Sequence, residues 1–244
     1  YTSLDYEKYP WDVSLRYKAI TDEFNPMLGY ITRQNIFGPE LRTWYRHEAE
    51  DRWYKEFDTF AEVELYENED SETTLRDYRF WQEVVFPNDF GVFISREDEY
   101  HAPYNNDRVS TGIVFHESDY WRSTELEYAR GEFEETTYDE FVFEKQIKVL
   151  DRLPLRHELV TRFEEEKDGE ENTALLNRIV FDYFFTDDMW VKTSLQHRDE
   201  GIHNISVIFG WEFVENAHWY LVYNSVSEED EDAEPKEAIT PDEL

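Results

Sequence analysis

The sequence predicts an all-β chain, and within that class an antiparallel up-and-down β-barrel of about 14 strands. Three observations predict it. Apolar and polar residues alternate with period 2 along the 244 residues, with no helical periodicity of any length. Aromatic residues make up 18% of the chain, more than a core needs, although 34% of the residues are charged and mean hydropathy is -0.81. No stretch approaches the roughly 20 apolar residues of a spanning helix, whereas a spanning strand needs only about 9 to 11 with every second one apolar.

In chain order, an early strand is read from Val13, Leu15, Tyr17 and Ala19, which alternate with Asp12, Ser14, Arg16 and Lys18. Phe57, Thr59, Ala61, Val63 and Leu65 then alternate with Glu56, Asp58, Phe60, Glu62 and Glu64. Leu155, His157, Leu159, Thr161 and Phe163 alternate with Arg156, Glu158, Val160 and Arg162, and Met189, Val191, Thr193 and Leu195 with Trp190, Lys192, Ser194 and Gln196. The stretch NISVIFGWEFVENAHWYLVYNS, Asn204 to Ser225, reads as a hairpin with one greasy side: Ile205, Val207, Phe209, Trp211 and Phe213, then Trp219, Leu221 and Tyr223. A strand pair packed on a soluble core would give the same local pattern.

Three features extend the expectation to an outer-membrane-type barrel. Tight connections such as Thr186-Asp187-Asp188 and Glu215-Asn216 alternate in places with longer acidic ones, Glu164 to Asn172 and Tyr100 to Arg108, as where short turns and long loops occupy opposite rims. Trp11, Trp44, Trp53, Trp81, Trp121, Trp190, Trp211 and Trp219 lie mostly near strand ends or turns, where amphipathic rings would sit at headgroup level. The polar faces mix both signs, as a hydrated lumen would, and the lumen-lining residues expected are Glu144, Lys148, Arg156, Glu158, Arg162 and Arg178. An exposed sheet face would look much the same. The expected organisation is a barrel domain over 1–226 followed by an acidic loop or tail over 227–244.

Charge narrows the partners. Asp and Glu number 58 against 24 Lys and Arg, a formal net charge of -34, which would repel nucleic acid and leaves cations, sugars and basic partners. Cysteine is absent, so disulfides, thiol catalysis and Cys-based zinc sites are excluded. The seven histidines form no HExxH or other metal spacing, and no GxSxG, P-loop or GxGxxG occurs. The acidic run Glu228 to Asp232 lacks the DxDxDG layout of a calcium loop and reads as solvated. No catalytic constellation, metal site or cofactor is expected.

Two stretches go beyond pattern. TDEFNPMLGYITRQNI, Thr21 to Ile36, carries Phe24-Asn25-Pro26, Gly29 and Arg33. Phe184 to Asn224 carries a Phe-Thr-x-Asp-Met strand start (Phe185 to Met189), Asn204-x-Ser206, Gly210-Trp211 and a closing Tyr220-Leu221-Val222-Tyr223-Asn224. Both closely resemble the C-terminal barrel of the DUF5916 family, bacterial envelope proteins in which a carbohydrate-binding-type (CBM9-like) domain precedes an outer-membrane β-barrel. The sugar-binding-type domain is absent from this chain, and the family's barrel is longer at its N-terminus and ends in a further strand, so the resemblance implies a fragment of a longer barrel.

The resemblance also implies a bacterial outer-membrane location. The loop residues Phe24, Asn25, Pro26, Gly29 and Arg33 are then read as a turn bending over the rim, with a ligand contact through Asn25 and Arg33 as the other reading. The function expected is non-enzymatic passage, or surface docking of a small-molecule or carbohydrate ligand, with outer-membrane lipid and other envelope proteins as partners. Two alternatives stay open: a soluble β-sandwich or barrel glycan-binding module, in which Trp190 and Trp219 stack on sugars, and an acidic polysaccharide-active enzyme.

Overall fold

The computed structural model describes residues 2–21, 35–101, 103–198, 202–215 and 217–228. Their strands are β1 (Thr2–Lys8), β2 (Trp11–Ile20), β3 (Ile36–Glu48), β4 (Glu56–Glu67), β5 (Thr73–Val85), β6 (Phe90–His101), β7 (Tyr104–Phe115), β8 (Thr124–Phe133), β9 (Thr136–Leu150), β10 (Leu153–Glu165), β11 (Glu171–Phe184), β12 (Met189–Arg198), β13 (Ile202–Val214) and β14 (Ala217–Glu228). All belong to one antiparallel up-and-down sheet whose spatial order is the chain order, which fulfils the expected strand count and connectivity; among the described residues the sheet is not closed. Backbone contacts divide the chain into two compact units, Tyr1–Lys145 with Thr161–Thr173, and Gln146–Val160 with Ala174–Leu244.

In the first unit the cross-strand register sorts the side chains into two unlike faces. Leu15, Leu41 and Val63 follow one another across β2, β3 and β4, and Ile94, Thr111, Tyr128 and Phe141 across β6 to β9. These apolar side chains point to solvent: Leu4 is 71% exposed, Phe141 51% and Ile94 47%. The opposite face is polar and much of it is buried. In the second unit Val191, Phe209 and Leu221 stand in line across β12 to β14, with Leu221 59% exposed. The conventional arrangement of oily inside and charged outside is reversed in the first unit.

The apolar face of the first unit is bounded at both ends. At one end eight rings form a continuous chain of contacts: Trp11–Tyr45, Tyr45–Phe57, Phe57–Tyr54, Tyr54–Trp53, Trp53–Phe86, Phe86–Phe90 and Phe90–Phe115, with centroids 4.7 to 6.2 Å apart. Toward the other end the face turns charged on five successive strands, Tyr78 giving way to Arg76, Ile94 to Arg96, Val109 to Asp107, Tyr128 to Arg130 and Phe141 to Asp139. Tyr128 donates its hydroxyl to Asp139 at that boundary, and the Arg76 guanidinium lies over the rings of Tyr78 and Tyr100, each at 5.8 Å.

Two expectations about connections change. Tyr100 to Arg108 is not a loop. β6 and β7 continue through it, with Asp98 opposite Asp107, Glu99 opposite Asn106 and Tyr100 opposite Asn105. Ladder hydrogen bonds are indifferent to side-chain polarity where both faces are wet, so acidic composition concealed a strand. Nor do short and long connections separate by rim in this unit. Two of the longer ones, 49–55 and 116–123, share an end with the tight turn at Tyr9-Pro10. Glu164 to Asn172 shrinks to residues 166–170 between β10 and β11.

The ladder between β3 and β4 is interrupted once. Phe37 pairs with Glu67 and Glu40 with Glu64, with Gly38-Pro39 between. Proline has no N–H to give a central ladder, and an interruption is where a sheet tolerates it. A Cβ on Gly38 would lie 1.8 Å from the Leu65 carbonyl oxygen, a backbone atom that cannot turn aside. Gly38→Ala is expected to destabilise the fold by about 1–3 kcal/mol as overpacking, read as an earlier unfolding midpoint; an unchanged midpoint would show that the ladder yields there.

At the ring-lined end, Asp89 in the turn after β5 ties three connections together. Its carboxylate accepts from Lys55 Nζ at 3.1 Å, from the Ser118 backbone N–H at 3.4 Å and from the Ser118 hydroxyl. The hydroxyl hydrogen bond, followed by Lys55, holds the Asp89 carboxyl below the usual aspartate range. A carboxyl lowered by folding contributes stability at pH values above its unfolded pKa of about 3.9, and that contribution is lost as pH falls through the lower folded value. Ser118 amide exchange, corrected for its intrinsic pH dependence, should therefore stay slow at neutral pH and speed up below pH ~4. Asp89→Asn should flatten that dependence.

Candidate functional site

The polar face of the first unit is a network of carboxylates buried beneath basic side chains. Strand alternation puts Glu40, Arg42 and Arg46 of β3 on the same side as Asp58 and Glu62 of β4 and Asp77 and Arg79 of β5. Glu40, 3% exposed, accepts from Arg16 at 3.3 Å, Lys18 at 3.3 Å and the Tyr66 hydroxyl at 3.3 Å. Glu62 takes Arg42 through Nε at 2.8 Å and Nη2 at 2.5 Å, with Arg79 at 3.7 Å. Arg79 also meets Asp77 at 2.6 Å, and Arg46 meets Asp58 at 2.9 Å. Farther along, Glu140 of β9 gathers Arg162 of β10, at 2.8 Å and 2.6 Å, and Arg108 of β7, at 3.0 Å; Arg108 reaches Glu127 at 2.8 Å. An unpaired buried carboxylate would cost several kcal/mol, so each of these acids comes with its base.

Carboxylate oxygens of Glu40, Glu62 and Glu64 lie within 4.8 Å of one another, the spacing of a cation site. Arg16, Lys18, Arg42 and Arg79 already compensate the first two. The cluster is therefore explained as part of the ion-pair network, in which a hard cation would have to displace four organic ones.

Four rings interrupt this charged face. Trp44 and Phe60 meet edge-on at 5.6 Å, and Trp81 and Phe93 follow on β5 and β6. Phe60, Trp81 and Phe93 form the apolar wall of a recess of ≈ 340 Å³ across β4 to β8, whose polar wall includes Arg79, Glu83, Arg108, Ser110, Glu125 and Glu127. Phe93 stands directly across from Gly112, where a Cβ would come within 2.4 Å of the ring. Trp44 and Trp81 thus lie in the polar face, apart from the tryptophans expected near strand ends.

The six expected lumen residues fall on β9, β10 and β11. Arg162 joins the Glu140–Arg108 cluster. Arg178 lies 3.8 Å from Glu158, and Lys148 lies 3.7 Å from the exposed Asp151 at the following turn. Glu144 stands across from Glu125, an acid opposite an acid and not the alternating ladder expected. Arg156 is half-buried on β10. Glu144 and Arg162 belong to the first unit, and Lys148, Arg156, Glu158 and Arg178 to the second. Phe24, Asn25, Pro26, Gly29 and Arg33 lie outside the described residues. Sequence reading missed the denser network of β2 to β9, although Glu40, Arg42 and Arg46, all on even positions, signalled it.

Glu140, like Glu62, is shared by two guanidinium groups on different strands. Glu140→Ala is expected to cost about 2 kcal/mol, the partial exposure of Arg108 and Arg162 keeping it below the value for a sealed pair. Glu140→Gln should fall between the two in urea-unfolding midpoint. Equal midpoints for all three proteins would mean that the cluster is solvated and energetically idle.

No family model matches the chain, no curated protein matches it, and no solved structure matches it. The resemblance to the DUF5916 barrel therefore rests on the residues quoted for it.

Proposed function

We propose that the chain is the strand-forming part of a bacterial outer-membrane β-barrel, non-enzymatic, whose charged face lines a hydrated passage or docking mouth that selects ligands by charge. The observation that carries this reading is the inversion of burial: Leu4, Phe141 and Leu221 are at least half exposed while Glu40, Glu62 and Asp77 are 2–4% exposed. In water the exposed rows would incur roughly 25 cal/mol per Å² of apolar surface, whereas hydrocarbon removes that cost.

The bounded apolar face supports the same reading. From Phe57 to Leu65 it runs about 26 Å along β4, at ~3.3 Å per residue, between a belt of rings and a charged row. Arg76, Arg96 and Arg130 then stand at an edge, where an arginine costs about 0–1 kcal/mol, and not at the midplane, where it costs about 2–4. No helix among the described residues is long and apolar enough to cross a membrane, so any crossing would be made by strands. Two free sheet edges are not tolerated in lipid, so the reading requires that β1 and β14 be paired with each other or with further strands.

Partition tests it. The expressed chain should co-float with liposomes, resist extraction by carbonate and urea, and show cation-preferring conductance in planar bilayers. A monodisperse detergent-free protein that stays out of the liposome fraction would overturn the membrane reading and restore the soluble glycan-binding one.

A further inference from the structure

We propose that the recess formed by Phe60, Trp81 and Phe93 with Glu83 and Glu125 is a binding site for an alkylated ammonium ion. The site belongs to the first unit alone and does not require that the chain span a membrane.

The valences left over in the recess define its ligand. Arg79 is engaged by Asp77 and Glu62, and Arg108 by Glu127 and Glu140, so neither guanidinium is free to hold an anion. The Ser95 and Ser110 hydroxyls bond each other at 2.7 Å. A neutral sugar, which needs donors as well as acceptors, would have to break one of these pairs. What remains is ring surface and the carboxylates of Glu83, Glu125 and the more exposed Glu97. Among the described residues no Lys or Arg forms an ion pair with Glu83 or Glu125. Across the ladders Glu83 stands opposite Asp58 and Glu125 opposite Glu144, acid against acid.

Elsewhere on this face Glu40, Asp58, Glu62, Asp77 and Glu140 each have a base; here acids face acids across a cavity walled by rings. A cation that is itself greasy satisfies both walls, its charge facing the carboxylates and its methyl groups the ring faces. A bare metal ion would find carboxylates on one wall only, and the rings would give it no ligand. The edge of the Phe93 ring occupies the space a side chain at position 112 would need, so Gly112 leaves room for that wall of the recess.

Choline is the probe, titrated into the full chain in micelles or buffer at about 0.15 M salt, where the ~8 Å screening length suppresses diffuse attraction to the acidic surface. Calorimetry and tryptophan fluorescence should report saturable binding. The uncharged carbon isostere, with tert-butyl in place of trimethylammonium, should bind about tenfold more weakly or less well still. Glu83→Gln combined with Glu125→Gln should weaken choline binding at least ~10-fold, and Trp81→Leu by a similar factor. Glu135→Gln, at a distant turn where Glu135 pairs with Lys167, should leave it unchanged.

No saturable choline binding, equal binding of the isostere, or unchanged affinity in the isosteric glutamine double variant would each overturn the site. Choline binding without bilayer conductance would sink the passage reading and leave the site standing.

Discussion

The structure depends on one constraint, that a strand sends alternate side chains to opposite faces and so must serve two environments at once. Here the two environments are chemically opposed. On one side Glu40, Glu62, Asp77 and Glu140 are sealed under guanidinium and ammonium groups. On the other, Leu15, Leu41 and Val63 stand in open rows. A one-residue slip of any strand would carry carboxylates into the apolar rows and leucines into the ion-pair network. Both faces therefore enforce the same register, and long antiparallel ladders follow without a conventional core: among the described residues the buried hydrophobic cluster is Ile36, Tyr66 and Leu75.

The ion pairs are better regarded as register pins than as the main source of stability. Each acid is desolvated, and the Coulomb gain largely offsets that penalty. What the pairs supply is specificity. Arg42 opposite Glu62, and Arg79 opposite Glu62 on the next strand, are met only when β3, β4 and β5 are aligned as observed. Tyr66 adds a neutral member, accepting from Lys18 at 3.0 Å and donating to Glu40, and so joins β2, β3 and β4 through one ring.

Strand existence and strand faces were legible in the sequence because both follow from period 2 alone. The alternations read for Val13 to Ala19, for Phe57 to Leu65 and for Ile205 to Phe213 are the faces found. Strand ends were less legible. Asp98, Glu99, Asn105, Asn106 and Asp107 carry turn-like composition, yet they lie in a ladder, because backbone pairing between wet strands makes no demand on side-chain polarity. The candidate site was the least legible part. Glu83 and Phe93, on β5 and β6, are directly opposite each other, as are Phe93 and Gly112, but periodicity fixes only the face a residue takes, never the neighbour it meets. The expected residues on β9 to β11 were identified as polar-face charges, and which of them would converge depended on register that no single strand contains.

The rings within the polar face mark where that network gives way. Phe93 lies over Gly112, and Trp190 over Gly210 in the second unit, where a Cβ would come within 2.5 Å of the indole. In both places a large ring covers a glycine directly across the ladder, protecting backbone that a side chain would otherwise shield. Such a pair occupies the position of a cross-strand ion pair without supplying charge. On β5 and β8 the consequence is that Glu83 and Glu125 are left beside rings and other acids, without the arginines that serve Glu62 and Glu140. The interruption in the ion-pair pattern and the affinity expected of the recess thus have one physical origin: an aromatic–glycine contact displaces the basic residue, and an organic cation is the species that restores both charge balance and packing.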